Sequence, residues 1–136
     1  MKNIVIVSLS IVISFMAVSC NKVDVSKLAG TYTGTLTSAD VVKEDVQLTF
    51  STVFDRKTLS LFNVELEKTS ENNKFNADAS VILEMIHLID ADITEDIVTN
   101  ASAVFVFEDE EVTMDMKYSI SHKMNNTVNV RYIGKK

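Results

Sequence analysis

Residues 112–120 read VTMDMKYSI, and the parity of this stretch decides the fold. Val112, Met114, Met116, Tyr118 and Ile120 fall on one side of an extended chain, with Thr113, Asp115, Lys117 and Ser119 on the other. Side chains of a strand alternate with a period of two, whereas a helix repeats its apolar face every three or four residues. Strict alternation therefore specifies a strand with one buried and one wet face. The same parity recurs on both sides. Ala101 to Phe107 (ASAVFVF) comes before it, across Glu108-Asp109-Glu110, and Val128, Val130 and Tyr132 come after it, across Asn125-Asn126. Nearer the N-terminus, Tyr32, Gly34 and Leu36 alternate with Thr31, Thr33, Thr35 and Thr37, and Val46, Leu48 and Phe50 alternate with Gln47 and Thr49. Phe75, Ala77, Ala79, Val81 and Leu83 extend the series.

Proline is absent and glycine occurs three times, so the turns fall to Asn, Asp and Ser, which tolerate left-handed backbone. Ser38-Ala39-Asp40, Asp55-Arg56-Lys57, Glu71-Asn72-Asn73, Glu108-Asp109-Glu110 and Asn125-Asn126 are the candidates. Their spacing allows strands of about ten residues joined by hairpins, which suits an up-and-down barrel. Two segments are less regular. Between Thr58 and Lys68 the apolar parity slips from Leu59 and Leu61 to Phe62, Val64 and Leu66, which a bulge or a strand buried on both faces would produce. Residues 82–97 (ILEMIHLIDADITEDI) fit a helical stripe through Ile82, Met85, Ile86 and Ile89 as well as they fit a strand. Counted as a strand, the segment gives eight in all. The expected fold is all-β, one up-and-down barrel of about eight strands with, on the other reading, a short helix in 82–97.

The N-terminus carries a different message. Met1-Lys2-Asn3 is a short positive start, and Ile4 to Met16 is an apolar run broken only by serine. That length matches a secretory leader, since a spanning helix needs about 20 apolar residues. Ala17-Val18-Ser19-Cys20 resembles the box of bacterial lipoproteins, in which the cysteine is acylated and becomes the new N-terminus. Cys20 is the only cysteine of the chain, so disulfides play no part in the fold. The alternative is an ordinary leader with Cys20 as a bystander. The expected organisation is a signal peptide at 1–19, an anchor and tether at 20–27 and the barrel at 28–136, on a bacterial membrane and most simply the outer one. Removal of Lys2 with the leader takes the net charge from -6 to -7. That surface repels phosphate backbones, and no Lys/Arg cluster with interleaved aromatics occurs, which sets nucleic acid aside as a partner.

Val23 to Tyr32 (VDVSKLAGTY) resembles the first motif of the lipocalins, within the calycin superfamily. Asp24, Lys27 and Gly30 match it, and Tyr32 stands where that family has a tryptophan. The resemblance implies that this stretch leads into the first strand and plugs one barrel end, with a cation from the last strand against the aromatic ring; Arg131 is the nearest candidate. Thr33 departs from the pattern, and Arg131 alternates out of phase with Val130 and Tyr132. With AGTYTGTLT close behind a lipoprotein cysteine, the chain is most similar to the calycin-like lipoproteins of Bacteroidetes.

Candidate sites follow from these placements. Tyr32, Leu36, Phe50, Phe75, Phe105, Phe107, Met114, Met116 and Tyr118 point into the barrel, and large rings fill eight strands unaided. Small residues at Ala77, Ala79, Ala101 and Ala103 leave room for the other reading, a pocket for a small apolar ligand with Tyr32, Met114, Met116 and Tyr118 on its wall. From Phe75 to Met116 there are eleven acidic residues and no lysine or arginine. They read as solvated faces and hairpin tips, as an acidic rim for a cationic protein or peptide, or, at Asp90, Asp92, Glu95 and Asp96, as oxygen ligands for a hard cation. The EF-hand pattern fails there, and no metal site or cofactor is expected. His87 and His122 have no evident nucleophile beside them, and no HExxH, GxSxG or phosphate loop occurs. The sequence reading is a membrane-anchored binder and not an enzyme.

Overall fold

A computed structural model describes residues 25–52, 58–121 and 127–136. In chain order the elements are α1 (Val25–Leu28), β1 (Gly30–Thr37), β2 (Val42–Thr52), β3 (Leu59–Leu61), β4 (Val64–Glu65), β5 (Glu67–Lys68), β6 (Lys74–Asn76), α2 (Ala79–Ile89), a 3-10 turn (Glu95–Ile97), β7 (Val98–Glu108), β8 (Glu111–Ile120) and β9 (Thr127–Lys135). All strand pairs are antiparallel.

The sheet order is β4-β3-β2-β1-β9-β8-β7-β6-β5. Only Leu66 separates β4 from β5, and its N–H donates to the Leu59 carbonyl at 2.8 Å. The two are halves of one extended segment that pairs with β3 at its start and with β6 at its end. The sheet thus returns on itself as a nearly closed barrel of eight staves, each beside its neighbour in sequence. The seam joining first and last strands runs from Thr33 opposite Lys135 to Thr37 opposite Arg131.

The expected parity holds along the long strands. On β8, Val112, Met114, Met116, Tyr118 and Ile120 are all buried, and on β9 so are Val130, Tyr132 and Gly134. Three of the expected turns are turns: 38–41, closed by a bond from Ser38 N–H to Val41 O at 2.8 Å, then 69–73, and Asp109-Glu110. The turns expected at 55–57 and 125–126 lie outside the described residues. Bulges bend two long strands, at Glu44-Asp45 and at Asn100-Ala101, with Asp45 and Asn100 at φ of 57° and 51°.

Two expectations are corrected. The slipped parity between Thr58 and Lys68 is neither a bulge nor a doubly buried strand. Leu61 pairs with Val64, and Phe62 and Asn63 between them have φ of 54° and 62°, which is a two-residue turn of the kind that matches strand twist. The strand through Phe75, Ala77, Ala79, Val81 and Leu83 stops at Asn76. Asp78 caps α2 instead, its carboxylate accepting from Ser80 N–H at 2.9 Å and Val81 N–H at 3.1 Å. The helix buries Val81, Ile82, Met85 and Ile86, so helical spacing wins over alternation here. The eighth stave comes from β4–β5 and not from residues 82–97.

Where β3, β4, β5 and β6 end, the long strands β1, β2, β7, β8 and β9 continue, and α2 packs beside β7. One hydrophobic core joins the barrel and both helices, from Val25 to Tyr132. Val25 is 4% exposed, so residues 25–27, expected to be tether, belong to the packed domain.

Candidate functional site

The inward stripes meet as a stack of rings. Phe107 lies edge-on to Tyr32, Phe50 and Phe75 at centroid distances of 5.7, 5.1 and 5.8 Å, and Phe50 meets Tyr32 and Phe105 at 5.6 and 5.5 Å. Interplanar angles of 67° to 89° place positive ring edges on negative faces, the favourable aromatic arrangement. This half of the barrel is filled by the protein's own side chains.

That end is sealed by α1. The Tyr32 hydroxyl donates to Leu28 O at 2.9 Å, giving the last turn of α1 a partner for a carbonyl that the helix itself leaves free. Lys136 donates to Lys27 O at 2.8 Å, and its ammonium stands 5.8 Å from the centre of the Tyr32 ring, within cation–π range. The cation over Tyr32 is therefore Lys136 and not Arg131. Arg131 has the outward parity of β9 and lies 3.9 Å from Asp115 on the barrel exterior. Burial, with the Glu110 charge second, pushes the Tyr32 pKa above its ordinary value.

Gly30 and Gly34 mark where this end and the seam need glycine. Gly30 sits at φ 136°, open to glycine and hardly to other residues. Gly34 pairs with Gly134, and a Cβ on it would meet the Ile133 carbonyl and come within 2.5 Å of Gly134 Cα. Beside this contact the Tyr132 hydroxyl donates between Val46 O and Tyr32 O, at 2.9 and 3.1 Å, and burial pushes its pKa up to about 12.

The other end is covered by α2. Met114, Met116 and Tyr118 face inward as expected, and each is packed, at no more than 2% exposure. Met85 of α2 belongs to the same core. The Tyr118 pKa is raised by burial and, second, by Asp90 at the C-terminus of α2. His87 Nε2 lies 2.8 Å from Ile93 O and ties the helix to the segment after it. Tyr32 belongs to the ring stack and Met114 pairs with Phe105 of that stack, while Met116 and Tyr118 lie further along β8, so the four residues expected to form one wall do not form one. Cys20 and His122 lie outside the described residues.

The carboxylates at 90–96 serve their own loop. Asp90 accepts from Asp92 N–H at 3.0 Å and Asp96 accepts from the Thr94 hydroxyl. Among the described residues no three His, Cys, Asp or Glu side chains converge as metal ligands.

Outside the barrel, the face of β1, β9, β8 and β7 carries hollows. One of about 650 Å³ lies between the 38–39 loop and Ser102, with Asp115, Lys117, Asn129 and Arg131 on its sides. Further hollows lie at Val106 and Thr113 and around the acidic tip 108–111 with Lys135 and Lys136. Parity alone places these residues outward. Comparison with protein-family models, curated proteins and solved structures finds no match to this chain.

Proposed function

We propose that this chain is a lipid-anchored, calycin-like binding protein of the bacterial cell envelope, which captures a small apolar guest without chemical change at the barrel mouth beneath α2. The observation that carries the reading is the contrast between the two ends. One is filled by interlocked rings and sealed by α1, whereas at the other Tyr118 lies near the C-terminus of α2 and Met116 shares the core with Met85 of that helix, and methionine repacks around irregular apolar shapes at little cost. Tyr118 supplies a polar handle on an apolar body there. Lys136 over Tyr32 supports the calycin-like part, since that resemblance implies a cation from the last strand on this ring and Lys136 directly follows β9. Acylation of Cys20 would hold the barrel to the bilayer through its α1 end. Native mass spectrometry of the chain from residue 20 onward, purified from its host, is expected to show an added small-molecule mass that Tyr118→Ala diminishes. A bare polypeptide mass under every condition would contradict the guest.

A second reading is favoured by the four consecutive carboxylates Glu108, Asp109, Glu110 and Glu111 at the β7–β8 tip. The tip is an acidic rim that meets a cationic surface. Contact of that kind weakens as salt rises, and capture of an apolar guest does not.

A further inference from the structure

The registers of β1, β9, β8 and β7 arrange the outward side chains of this face in four cross-strand rows. The first is Asn129–Lys117–Ser102 and the second Thr37–Arg131–Asp115–Val104. The third is Thr35–Ile133–Thr113–Val106 and the fourth Thr33–Lys135–Glu111–Glu108. The first two rows hold two cations and one carboxylate, and the fourth holds two carboxylates and one cation. Between them lie Val104, Val106 and Ile133, and Ile133 is 42% exposed, one of the few large apolar side chains left in water. Each end of the face is thus the charge complement of the other, across an apolar middle.

We propose that this face is an interface between two copies of the chain, packed about a two-fold axis that lies in the contact plane and crosses the strands. The inference rests on the second reading above, contact through the acidic tip, and names its partner. The rotation sets Lys117 of one copy opposite Glu111 of the other, and Val104 opposite Val106. It brings the acidic tip 108–111 of each copy to the hollow flanked by Arg131 and Lys117 of the other. Each such contact occurs twice, as an isologous interface requires. Four strands at 4.8 Å and four rows two residues apart give roughly 500 Å² per copy. That is below the ~800 Å² of a standard interface, so the dimer is weak, reversible and dependent on concentration. Arg131 and Asp115 form an ion pair at 3.9 Å with both side chains more than half exposed, so the guanidinium stays accessible to a second carboxylate.

The test is sedimentation velocity on the chain from residue 20 onward with Cys20→Ser. Every core residue among those described lies from Val25 onward, so this chain keeps them all. A monomer–dimer equilibrium that weakens with salt is expected. Lys117→Glu with Arg131→Glu is expected to weaken it about tenfold or more, as is Glu108→Lys with Glu111→Lys. Mixing the two reversed proteins is expected to restore a heterodimer. These positions are on the surface, and circular dichroism checks that each variant is folded; if one is not, the salt dependence of the unmodified chain and the remaining variant decide. A monomer at every concentration, or a dimer indifferent to both reversals, overturns the proposal. An oligolysine probe separates the levels: a monomer that binds it through the 108–111 tip loses the second copy as partner and keeps the acidic-rim reading, and a monomer that ignores it loses both.

Discussion

Gly34 faces Gly134 across the seam, and the atoms a side chain would strike there are backbone, which has no rotamer to retreat into. Gly34→Ala is expected to cost about 3 kcal/mol or more, read as a lowered denaturation midpoint. A neutral result would mean that the strands do not approach so closely. Tyr132 locks the same place. Tyr132→Phe leaves the carbonyls of Val46 and Tyr32 without their buried donor and is expected to cost about 1–2 kcal/mol. The hydroxyl also sets an alkaline limit. Its pKa rises from 10.0 to about 12 on folding, so its contribution is intact below pH 10, where both states are neutral. Above that the unfolded chain ionises first, and stability falls by roughly 1.4 kcal/mol per pH unit until the folded pKa is reached. Tyr132→Phe should flatten that part of the pH profile in urea titrations, leaving the smaller share from Tyr32 and Tyr118, whose pKa values are also raised.

Among the elements, α2 depends most on a single side chain. It begins at Asp78, whose carboxylate satisfies two backbone donors. Asp78→Ala is expected to cost about 1 kcal/mol, with the loss concentrated in faster amide exchange over Ala79–Ile89. Uniform loss across the strands would show that helix and barrel unfold as one. This element also shows where sequence parity fails. Ala77, Ala79 and Val81 alternate as a strand does, but alanine favours helices, and Val81, Ile82, Met85 and Ile86 also share one helical face, so the two periods coincide over the first turn. Asp78 was the deciding signal, an N-cap residue ahead of an apolar run. The β3–β4 turn was hidden for another reason. Phe62 occupies left-handed backbone, where a bulky side chain is rare, so Asn63 alone signals the turn. By contrast β8 was legible from Val112 to Ile120, because its inward face is buried throughout, and β9 through Val128, Val130 and Tyr132.

For the whole molecule, the number of staves was legible although the eighth was misplaced at 82–97, and their order follows from hairpins except between β6 and β7, which α2 and the 3-10 turn connect. The candidate site was less legible. Parity correctly sent Met114, Met116 and Tyr118 inward, yet it cannot tell a lining from a filling, because that depends on how rings from four strands meet. It also carried a warning about Arg131, whose outward phase is where the structure puts it, while Lys136 gains the Tyr32 ring by lying just past the end of β9. The anchor is a claim of the same scale. Cys20→Ser is expected to abolish fatty-acid labelling and release the protein from membranes, and unchanged membrane retention would contradict it. The account as a whole rests on the barrel being sealed between first and last strands. Nuclear Overhauser contacts across that seam test it most directly: cross-strand contacts joining Thr33–Thr37 to Arg131–Lys135, with Gly34 against Gly134, are predicted. A spectrum in which β1 contacts β2 but not β9 would contradict it.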